Sequence, residues 1–307
     1  MQESRKIPIF FAVDNSYIPF LAVTLRSIID NSSKGNMYLI KILYTNISEK
    51  NMSQIKKFQS DNFDIEFVNL TYYIDKVKDK LYTRDYYTKS TYFRLFIPDL
   101  YPQYDKAIYL DADTVVRVDI AELYNQPIEN NLVAAVPDEA VGNIPEFQTY
   151  VEKVIGVSSY KNYFNAGILL MNLDELRKFK FQEKFLYLLS TIKFAVAQDQ
   201  DYLNRLCKGR VKIIDMGWDK MPIPELPEMK EEDIKLIHYN LAYKPWHSDN
   251  ILHEKYFWDY AKKTEFYDTL MKMKENYTEE EKFKDMEMGK NLIALAIKET
   301  ECVGDDR

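Results

Sequence analysis

The chain has 307 residues, 46% of them hydrophobic, which is enough to bury the core of one large domain or two smaller ones. Its formal net charge of −7 argues against a nucleic-acid binder but not against a phosphate ligand held through a metal. The two cysteines, Cys207 and Cys302, provide neither a disulfide framework nor a metal-ligand spacing, which favours a reducing compartment. Because no apolar run could span a bilayer and the N-terminus lacks a cleavage signal, we expect a cytoplasmic protein.

The first part of the chain alternates between apolar runs and amphipathic segments. This alternation predicts strands at 7–13, 38–44 and 64–68, with helices at 17–30 and 49–59. Ser48 is a suitable N-cap for the second helix. The order of elements predicts an α/β fold: a Rossmann-like, open, mostly parallel sheet flanked by helices.

The remainder of the chain continues this pattern and then becomes helical. Residues 71–90 are predicted to form a loop over the site, followed by a short helix at 91–97. The later predicted elements are strands at 106–110, 132–136, 167–172, 211–214 and 234–237, and helices at 174–192 and 199–206. Thr278 to Glu281 form a capping box in an acidic tail. We therefore predict a main domain at residues 1–250 and a helical C-terminal extension at 251–307.

The segment KAIYLDADTVV carries the clearest chemical signal. Asp111 and Asp113 come at the end of the predicted strand 106–110, and side chains two apart in an extended backbone lie on the same face. Both carboxylates can therefore converge on one divalent cation such as Mg²⁺ or Mn²⁺. Asp199 and Asp201 repeat the spacing, but they open a predicted helix, where neighbours two apart diverge.

Polar residues also follow other predicted strands. His238 follows the strand 234–237, and strand ends meet at one edge of a parallel sheet, so it is a candidate third metal ligand. A histidine alone is more often a hydrogen-bonded structural residue. Lys244, in a Lys-Pro-Trp loop, could contact a diphosphate or could be an exposed lysine beside the packed Trp246.

Three other polar residues have two interpretations each. Arg94 could face a phosphate, or it could pair with an acidic neighbour such as Asp99. Asn165 could bind a hydroxyl group beside the small Ala166, or it could form a turn before a strand. Asp199 could contact a sugar, although a carboxylate at a helix N-terminus is ordinary capping chemistry.

Taken in order, six segments resemble glycosyltransferase family 8, whose members have the nucleotide-sugar-binding fold called GT-A. They span residues 7–250 and are FFAVDNSYIP, STYFRLFIPDL, AIYLDADTVV, YFNAGILLMNL, QDQDYLN and IHYNLAYKPW. The resemblance implies a hexosyltransferase that moves glucose or galactose from a UDP-sugar to a cell-envelope glycan or glycolipid with retention of configuration. It implies Mn²⁺ as the cofactor, with Mg²⁺ as the alternative, and leaves open a peripheral contact with the inner face of the membrane.

The resemblance also implies a role for individual residues. The metal ligands are Asp111, Asp113 and His238. The catalytic residues are Gln200, under the anomeric carbon, and Asp199. The nucleotide- and sugar-binding residues are Ala12, Asp14, Ser16, Tyr17, Arg94, Asp111, Ala112, Asn165, Ala166 and Lys244, with Asp138 near the acceptor. Leu241 departs from the family pattern, because it stands where glycine is common and where the backbone would approach phosphate.

Other functions stay open on the sequence. An apolar strand followed by Asp-x-Asp also describes a haloacid-dehalogenase-type phosphatase, in which Asp111 would attack phosphorus. Against it, the motif lies a third of the way along the chain and lacks the customary glycine. A sugar-nucleotide pyrophosphorylase would need a Gly-rich basic loop after the first strand, where AVDNSYIP stands instead. A non-catalytic sugar-nucleotide-binding protein could share the same scaffold.

Overall fold

The computed structural model describes residues 5–76 and 89–305. The strands are β1 (Arg5–Ala12), β2 (Asn36–Tyr44), β3 (Phe63–Asn69), β4 (Lys106–Leu110), β5 (Thr114–Val116), β6 (Val133–Pro137), β7 (Phe164–Asn172), β8 (Val211–Ile213) and β9 (Leu236–His238). Seven of these strands form one sheet in the order β3-β2-β1-β4-β7-β6-β8. The other two, β5 and β9, pair antiparallel in a small separate sheet.

Helices flank the sheet and form the C-terminal part of the chain. The first group is α1 (Ile18–Asn31), α2 (Glu49–Lys56), α3 (Thr71–Asp75), α4 (Ile97–Leu100), α5 (Ala121–Tyr124), α6 (Glu139–Asn143) and α7 (Pro145–Tyr150). The second group is α8 (Leu173–Lys178), α9 (Phe181–Thr191), α10 (Asp199–Cys207), α11 (Glu254–Ala261), α12 (Tyr267–Asn276) and α13 (Glu279–Asp305). Pro19 lies in the first turn of α1, where its missing N–H costs no hydrogen bond.

The direction of β7 decides which residues meet at the site. All strands of the large sheet run parallel except β7, which is antiparallel to both β4 and β6. The start of β7 therefore lies beside the end of β4, with Leu110 opposite Ile168. This arrangement brings Asn165 and Gly167 to the sheet edge where Asp111 follows β4. The predicted mostly parallel sheet is confirmed, with this one reversal.

Both faces of the sheet are buried, as expected for strands that read as continuous apolar runs. On β1, Ile9 and Phe11 pack into one core layer, while Phe10 between them packs into the other. The first layer contains most of the apolar side chains of α1. The site is thus built at the edge of a sheet that is covered on both faces.

The structure revises several predicted element boundaries. The single helix expected at 174–192 is two helices, α8 and α9, because the backbone at Lys180 adopts a left-handed conformation with φ of 56°. The start of the expected loop at 71–90 is helix α3, and residues 77–88 of that prediction lie outside the described residues. The helix expected at 91–97 is a 3₁₀ segment, Lys89–Phe96, that leads into α4.

The C-terminal helices pack on both core layers. Phe257 of α11 and Leu270 of α12 belong to the layer that contains α1, whereas Ala296 of α13 belongs to the opposite layer. The division of the chain at residue 250 stays a prediction. Within residues 5–76 and 89–305, no helix combines the length and the apolar composition needed to cross a bilayer.

Candidate active site

A cavity of about 150 Å³ opens where β1 and β4 end and β7 begins. Most of the residues implied by the resemblance line it: Ala12, Tyr17, Arg94, Asp111, Ala112, Asp113, Asp138, Asn165, Ala166, Asp199, Gln200, His238 and Lys244. Asp14 and Ser16 do not line this cavity. Asp14 instead holds the turn before α1, where its Oδ1 accepts hydrogen bonds from the backbone N–H groups of Ser16 (2.9 Å) and Tyr17 (3.3 Å).

Asp111, Asp113 and His238 converge on one point. Their potential ligand atoms all lie within 4.8 Å of one another. His238 Nε2 lies 3.5 Å from Asp113 Oδ1 and 3.9 Å from Asp111 Oδ2. Two carboxylate oxygens and an imidazole nitrogen facing one space are a donor set that suits Mn²⁺ or Mg²⁺. The predicted meeting of residues more than a hundred positions apart is therefore present.

Local backbone contacts place these three side chains. The Thr24 hydroxyl lies 2.7 Å from the carbonyl oxygens of both Ala112 and Thr114, which fixes the turn between β4 and β5. Thr114 pairs with His238 across the small β5–β9 sheet. His238 is thus the last residue of a strand of the small sheet, whereas the sequence predicted it just after a strand of the large one.

Gly167 lets Asp111 and His238 approach β7 closely. Together with Asp113, these two residues are called the triad. A Cβ atom at this position would lie 2.4 Å from His238 Cε1 and 2.8 Å from Asp111 Oδ2. Both distances are shorter than real carbon contacts allow. The backbone N–H of Asp111 also donates to the Gly167 carbonyl at 2.7 Å. Glycine fits here because the side chains of Asp111 and His238, two of the candidate metal ligands, occupy the space that a Cβ would fill.

Asp219 orients the histidine from behind. Its Oδ1 lies 3.0 Å from His238 Nδ1, so Nε2 is left to face the two aspartates. A carboxylate that holds the far nitrogen of a metal-binding histidine fixes the orientation of the ring and raises its basicity. Sequence analysis missed Asp219, which ends a 3₁₀ turn, Met216–Asp219, that has no periodic signal.

The buried charges around the triad shift one another's pKa values. Burial disfavours the charged form of His238, but the nearby Asp219 and Asp113 outweigh it and raise the His238 pKa to about 10. Burial raises the pKa of Asp219 to about 6, against the attraction of His238. Burial alone would also raise the pKa of Asp113, but Lys244 and His238 hold it well below its usual range. A positive charge is thus strongly favoured beside Asp113.

Lys244 supplies part of that charge. Its Nζ donates to Asp113 Oδ2 at 2.7 Å and to the Tyr239 carbonyl at 2.9 Å. Its side chain is buried, as is that of Trp246. The alternative of an exposed lysine beside a packed tryptophan is therefore wrong for the lysine and right for the tryptophan.

Arg94 links Asp111, a candidate metal ligand, to Asp199 at the start of α10. Its Nη2 lies 3.0 Å from Asp111 Oδ1 and its Nε lies 3.1 Å from Asp199 Oδ2. Its Nη1 donates to the Ala166 carbonyl. The acidic partners of this buried arginine are Asp111 and Asp199, not the suggested Asp99. Burial raises the pKa of Asp199 to about 7, although Arg94 opposes the shift.

A hydrogen-bond network holds the side chain of Gln200. Its Oε1 accepts from the Ala166 N–H at 2.8 Å, and its Nε2 donates to Asp138 Oδ2 at 2.9 Å and to the Tyr163 hydroxyl at 3.3 Å. Asn165 Nδ2 donates to the same Asp138 oxygen at 3.1 Å. Asp138 therefore holds the side-chain amides of Asn165 and Gln200 at one side of the cavity. The backbone N–H of Ala166 fixes the amide oxygen of Gln200.

The second Asp-x-Asp pair diverges as predicted. Asp199 faces the cavity, but Asp201 is fully buried and accepts hydrogen bonds from the hydroxyls of Tyr150 (2.9 Å) and Tyr163 (2.7 Å). Asp201 thus supports the fold behind Gln200. Periodicity separated this pair correctly from Asp111 and Asp113.

Sequence reasoning missed several other groups. Ser90, Thr91 and Ala140 line the cavity, and Tyr163 supports it. Ser90, Thr91 and Tyr163 lie inside the segments that carry the family resemblance, so their position in those segments is the signal that points to them. Ala140 has no such signal. Leu241 also lines the cavity, and its φ of 50° lies in the left-handed region that glycine adopts more easily. The loop at Leu241 therefore keeps the left-handed backbone conformation that glycine favours, although the residue is leucine.

Comparison with known proteins identifies the family. The family model described as glycosyl transferase family 8 matches residues 8–250. This chain belongs to glycosyltransferase family 8. A putative glycosyltransferase of Haemophilus influenzae is 32% identical over 252 residues, which cover 80% of this chain and 74% of that protein. A lipopolysaccharide 1,2-glucosyltransferase of Escherichia coli K12 is 26% identical over 266 residues, with coverage of 80% and 74%.

A solved structure agrees with this assignment. The galactosyltransferase LgtC, in complex with donor and acceptor sugar analogues, matches with a TM-score of 0.70 and 25% identity, over 84% of this chain and 96% of that one. The fold is therefore GT-A, as the sequence predicted. Family membership makes the chain a glycosyltransferase and leaves no basis for the phosphatase or pyrophosphorylase alternatives.

Proposed function

We propose that this enzyme transfers a hexose from UDP-glucose or UDP-galactose to a cell-envelope glycan or glycolipid, with retention of configuration. The observation that carries the proposal is the convergence of Asp111, Asp113 and His238 beside Lys244 and Gln200. The names of the similar enzymes, a glucosyltransferase and a galactosyltransferase, support a hexose donor. The lipopolysaccharide in the name of the first supports a cell-envelope acceptor.

The metal proposed for the triad is Mn²⁺, with Mg²⁺ as the alternative. Asp111, Asp113 and His238 would hold it, and the close packing against Gly167 leaves the ligand atoms little freedom to spread apart. When bound, the cation stabilises the negative charge that develops on the leaving diphosphate. Among the described residues that line the cavity, four are aspartates, so the lining is rich in the hard oxygen ligands that such a cation prefers.

Lys244 and Arg94 divide the remaining positive charge. Lys244 is a point charge on a flexible side chain, and it would turn from Asp113 toward the diphosphate when the donor binds. Arg94 stays bound to Asp111 and Asp199, which keeps both carboxylates oriented. We assign Arg94 and Asp199 to positioning the donor sugar. Ala12, Asp14, Ser16 and Tyr17 would bind the uracil.

Gln200 is assigned to the reaction centre. In the proposed step, the bond between the sugar C1 and the diphosphate oxygen breaks, and the acceptor hydroxyl oxygen bonds to C1 on the same face. The acceptor proton leaves with the diphosphate, so no protein base is needed. An amide is a poor nucleophile, and Gln200 is held by Ala166 and Asp138, so it would stabilise the positive charge at C1 electrostatically. Asp138 is assigned to the acceptor side.

A donor screen tests this function. Purified protein is incubated with UDP-glucose, UDP-galactose and other nucleotide sugars in Mn²⁺, Mg²⁺ or chelator, and released UDP is measured. We expect UDP release from a UDP-hexose with metal, none with chelator, and none from the folded Asp113→Asn variant. Binding of UDP-sugars by calorimetry with no release or transfer under any condition would instead support a non-catalytic binding protein.

A further inference from the structure

A second, larger cavity adjoins the active site. It measures about 590 Å³ and shares Tyr17 and Lys244 with the first cavity. Phe20 of α1 and Trp246 form one side of it, and residues of α12 and α13 form the other. The helical side lies beyond residue 250, outside the segment that the family model matches.

The sizes of the two cavities limit where a donor can fit. Small-molecule pockets usually measure about 300–1,000 Å³, so the first cavity, at about 150 Å³, is too small for a whole nucleotide sugar. The metal-ligand triad and Gln200 line the first cavity, which places the diphosphate and hexose there. Because Tyr17 and Lys244 line both cavities, and Ser16 lines the second, a nucleoside held at Ser16 and Tyr17 would extend from the first cavity into the second.

The walls of the second cavity are rich in aromatic side chains, an apolar lining that a flat heteroaromatic base could pack against. Phe20 and Trp246 are stacked with ring centroids 4.0 Å apart, and His247 and Tyr277 are stacked at the same distance. The thioether of Met288 adds a polarizable surface from α13. The lining also contains the neutral polar Ser16 and Asn276, which can form hydrogen bonds with a base or a ribose, and the charged Glu281, Lys284 and Asp285.

The helical wall is fixed in place at both ends. Thr278 and Glu281 form a reciprocal capping box at the start of α13, with distances of 2.8 and 3.2 Å, as the sequence predicted. The Tyr277 hydroxyl donates to Asp285, nearly two turns into the helix. Further along, Ala296 is fully buried in a core layer. A wall held in this way can preorganise a binding site rather than close over it loosely.

We propose that α12 and α13 complete the binding site for the nucleoside of the donor, with Met273, Tyr277 and Met288 forming the wall opposite α1. This proposal rests on the proposed function, which supplies the UDP-sugar. It extends nucleotide binding to the part of the chain beyond residue 250. The C-terminal helices would then be needed for donor affinity, while the metal-ligand triad would be independent of them.

Filling the cavity tests the proposal. In the full-length chain, Met288→Trp places a large ring in the cavity from α13, and Met273→Trp does so from α12. The matched control is Met286→Trp, because Met286 is on the same helix, 63% exposed and absent from the cavity wall. UDP affinity in saturating Mn²⁺ and Mn²⁺ affinity without nucleotide are measured by calorimetry, with the melting temperature as the test of folding.

We expect each cavity variant that folds to raise the Kd for UDP at least tenfold, with unchanged Mn²⁺ affinity, and the control to change the UDP Kd less than twofold. Wild-type UDP affinity in a folded Met288→Trp or Met273→Trp variant would overturn the proposal. The proposed function has a separate readout, since it fails if the wild-type protein releases no UDP from any UDP-hexose. A wild-type enzyme that turns over its donor, with cavity variants equally tight for UDP, would refute this inference alone.

Discussion

Replacement of Gly167 by alanine should dismantle the metal site while sparing the fold. The added Cβ would lie 2.4 Å from His238 Cε1, and ordinary contact begins near 3.4 Å, so the imidazole must move by about 1 Å. The same atom would lie 2.8 Å from Asp111 Oδ2, so two of the three ligands are pushed at once. Metal–ligand distances tolerate only about 0.2 Å of error.

The expected loss can be measured directly. Perturbing the support of a metal ligand costs about 10–100-fold in affinity, so we expect the Mn²⁺ Kd of Gly167→Ala to rise at least tenfold, or about 1.4 kcal/mol. Calorimetry without nucleotide gives this Kd. The control is Gly142→Ala, because a Cβ there meets nothing within 4 Å. Wild-type Mn²⁺ affinity in a folded Gly167→Ala variant would refute the steric argument.

Three other changes have defined outcomes. Asp219→Asn should weaken Mn²⁺ binding by about 10–100-fold, as measured by calorimetry, because a neutral amide replaces the negative carboxylate beside His238 Nδ1. An unchanged Kd for Mn²⁺ would show that Asp219 is only structural. Lys244→Met should raise the UDP Kd and reduce its dependence on salt, whereas equal salt dependence would place Lys244 away from the diphosphate. Burial raises the pKa of Asp199 to about 7, so between pH 4 and 7 the folded state holds a proton that the unfolded state has lost, and the free energy of unfolding should fall as pH rises. Asp199→Asn should flatten that part of a urea-denaturation profile, and an equally steep profile would contradict the shift.

The placement of Asp111 and Asp113, the first two candidate metal ligands, could be predicted because local sequence determines it. Asp111 and Asp113 end an apolar strand, and an extended backbone directs such side chains to the same side. The helix at Asp199 and Asp201 could also be predicted, and its geometry directs Asp199 to the cavity and Asp201 away from it, toward Tyr163. Periodicity works in these cases because one element alone decides which way the side chains point.

Contacts between distant segments could not be predicted in the same way. Asp219 reaches His238 only because β5 and β9 form a small sheet of their own. No periodic pattern in the sequence predicts that β5 pairs with β9. The pairing of Arg94 with Asp111 and Asp199 depends on how the 3₁₀ segment packs beside β4 and α10. The break at Lys180 depends on a single left-handed residue, which amphipathic periodicity does not detect. Tertiary packing decides each of these three features.

An anomalous difference map at the manganese edge, from crystals grown with Mn²⁺ and UDP, would locate the metal itself. The convergence of the triad predicts one strong peak in contact with Asp111, Asp113 and His238 Nε2, with the diphosphate on its open side. A peak that touches the aspartates but not His238, or a diphosphate bound without any peak among these three residues, would contradict it.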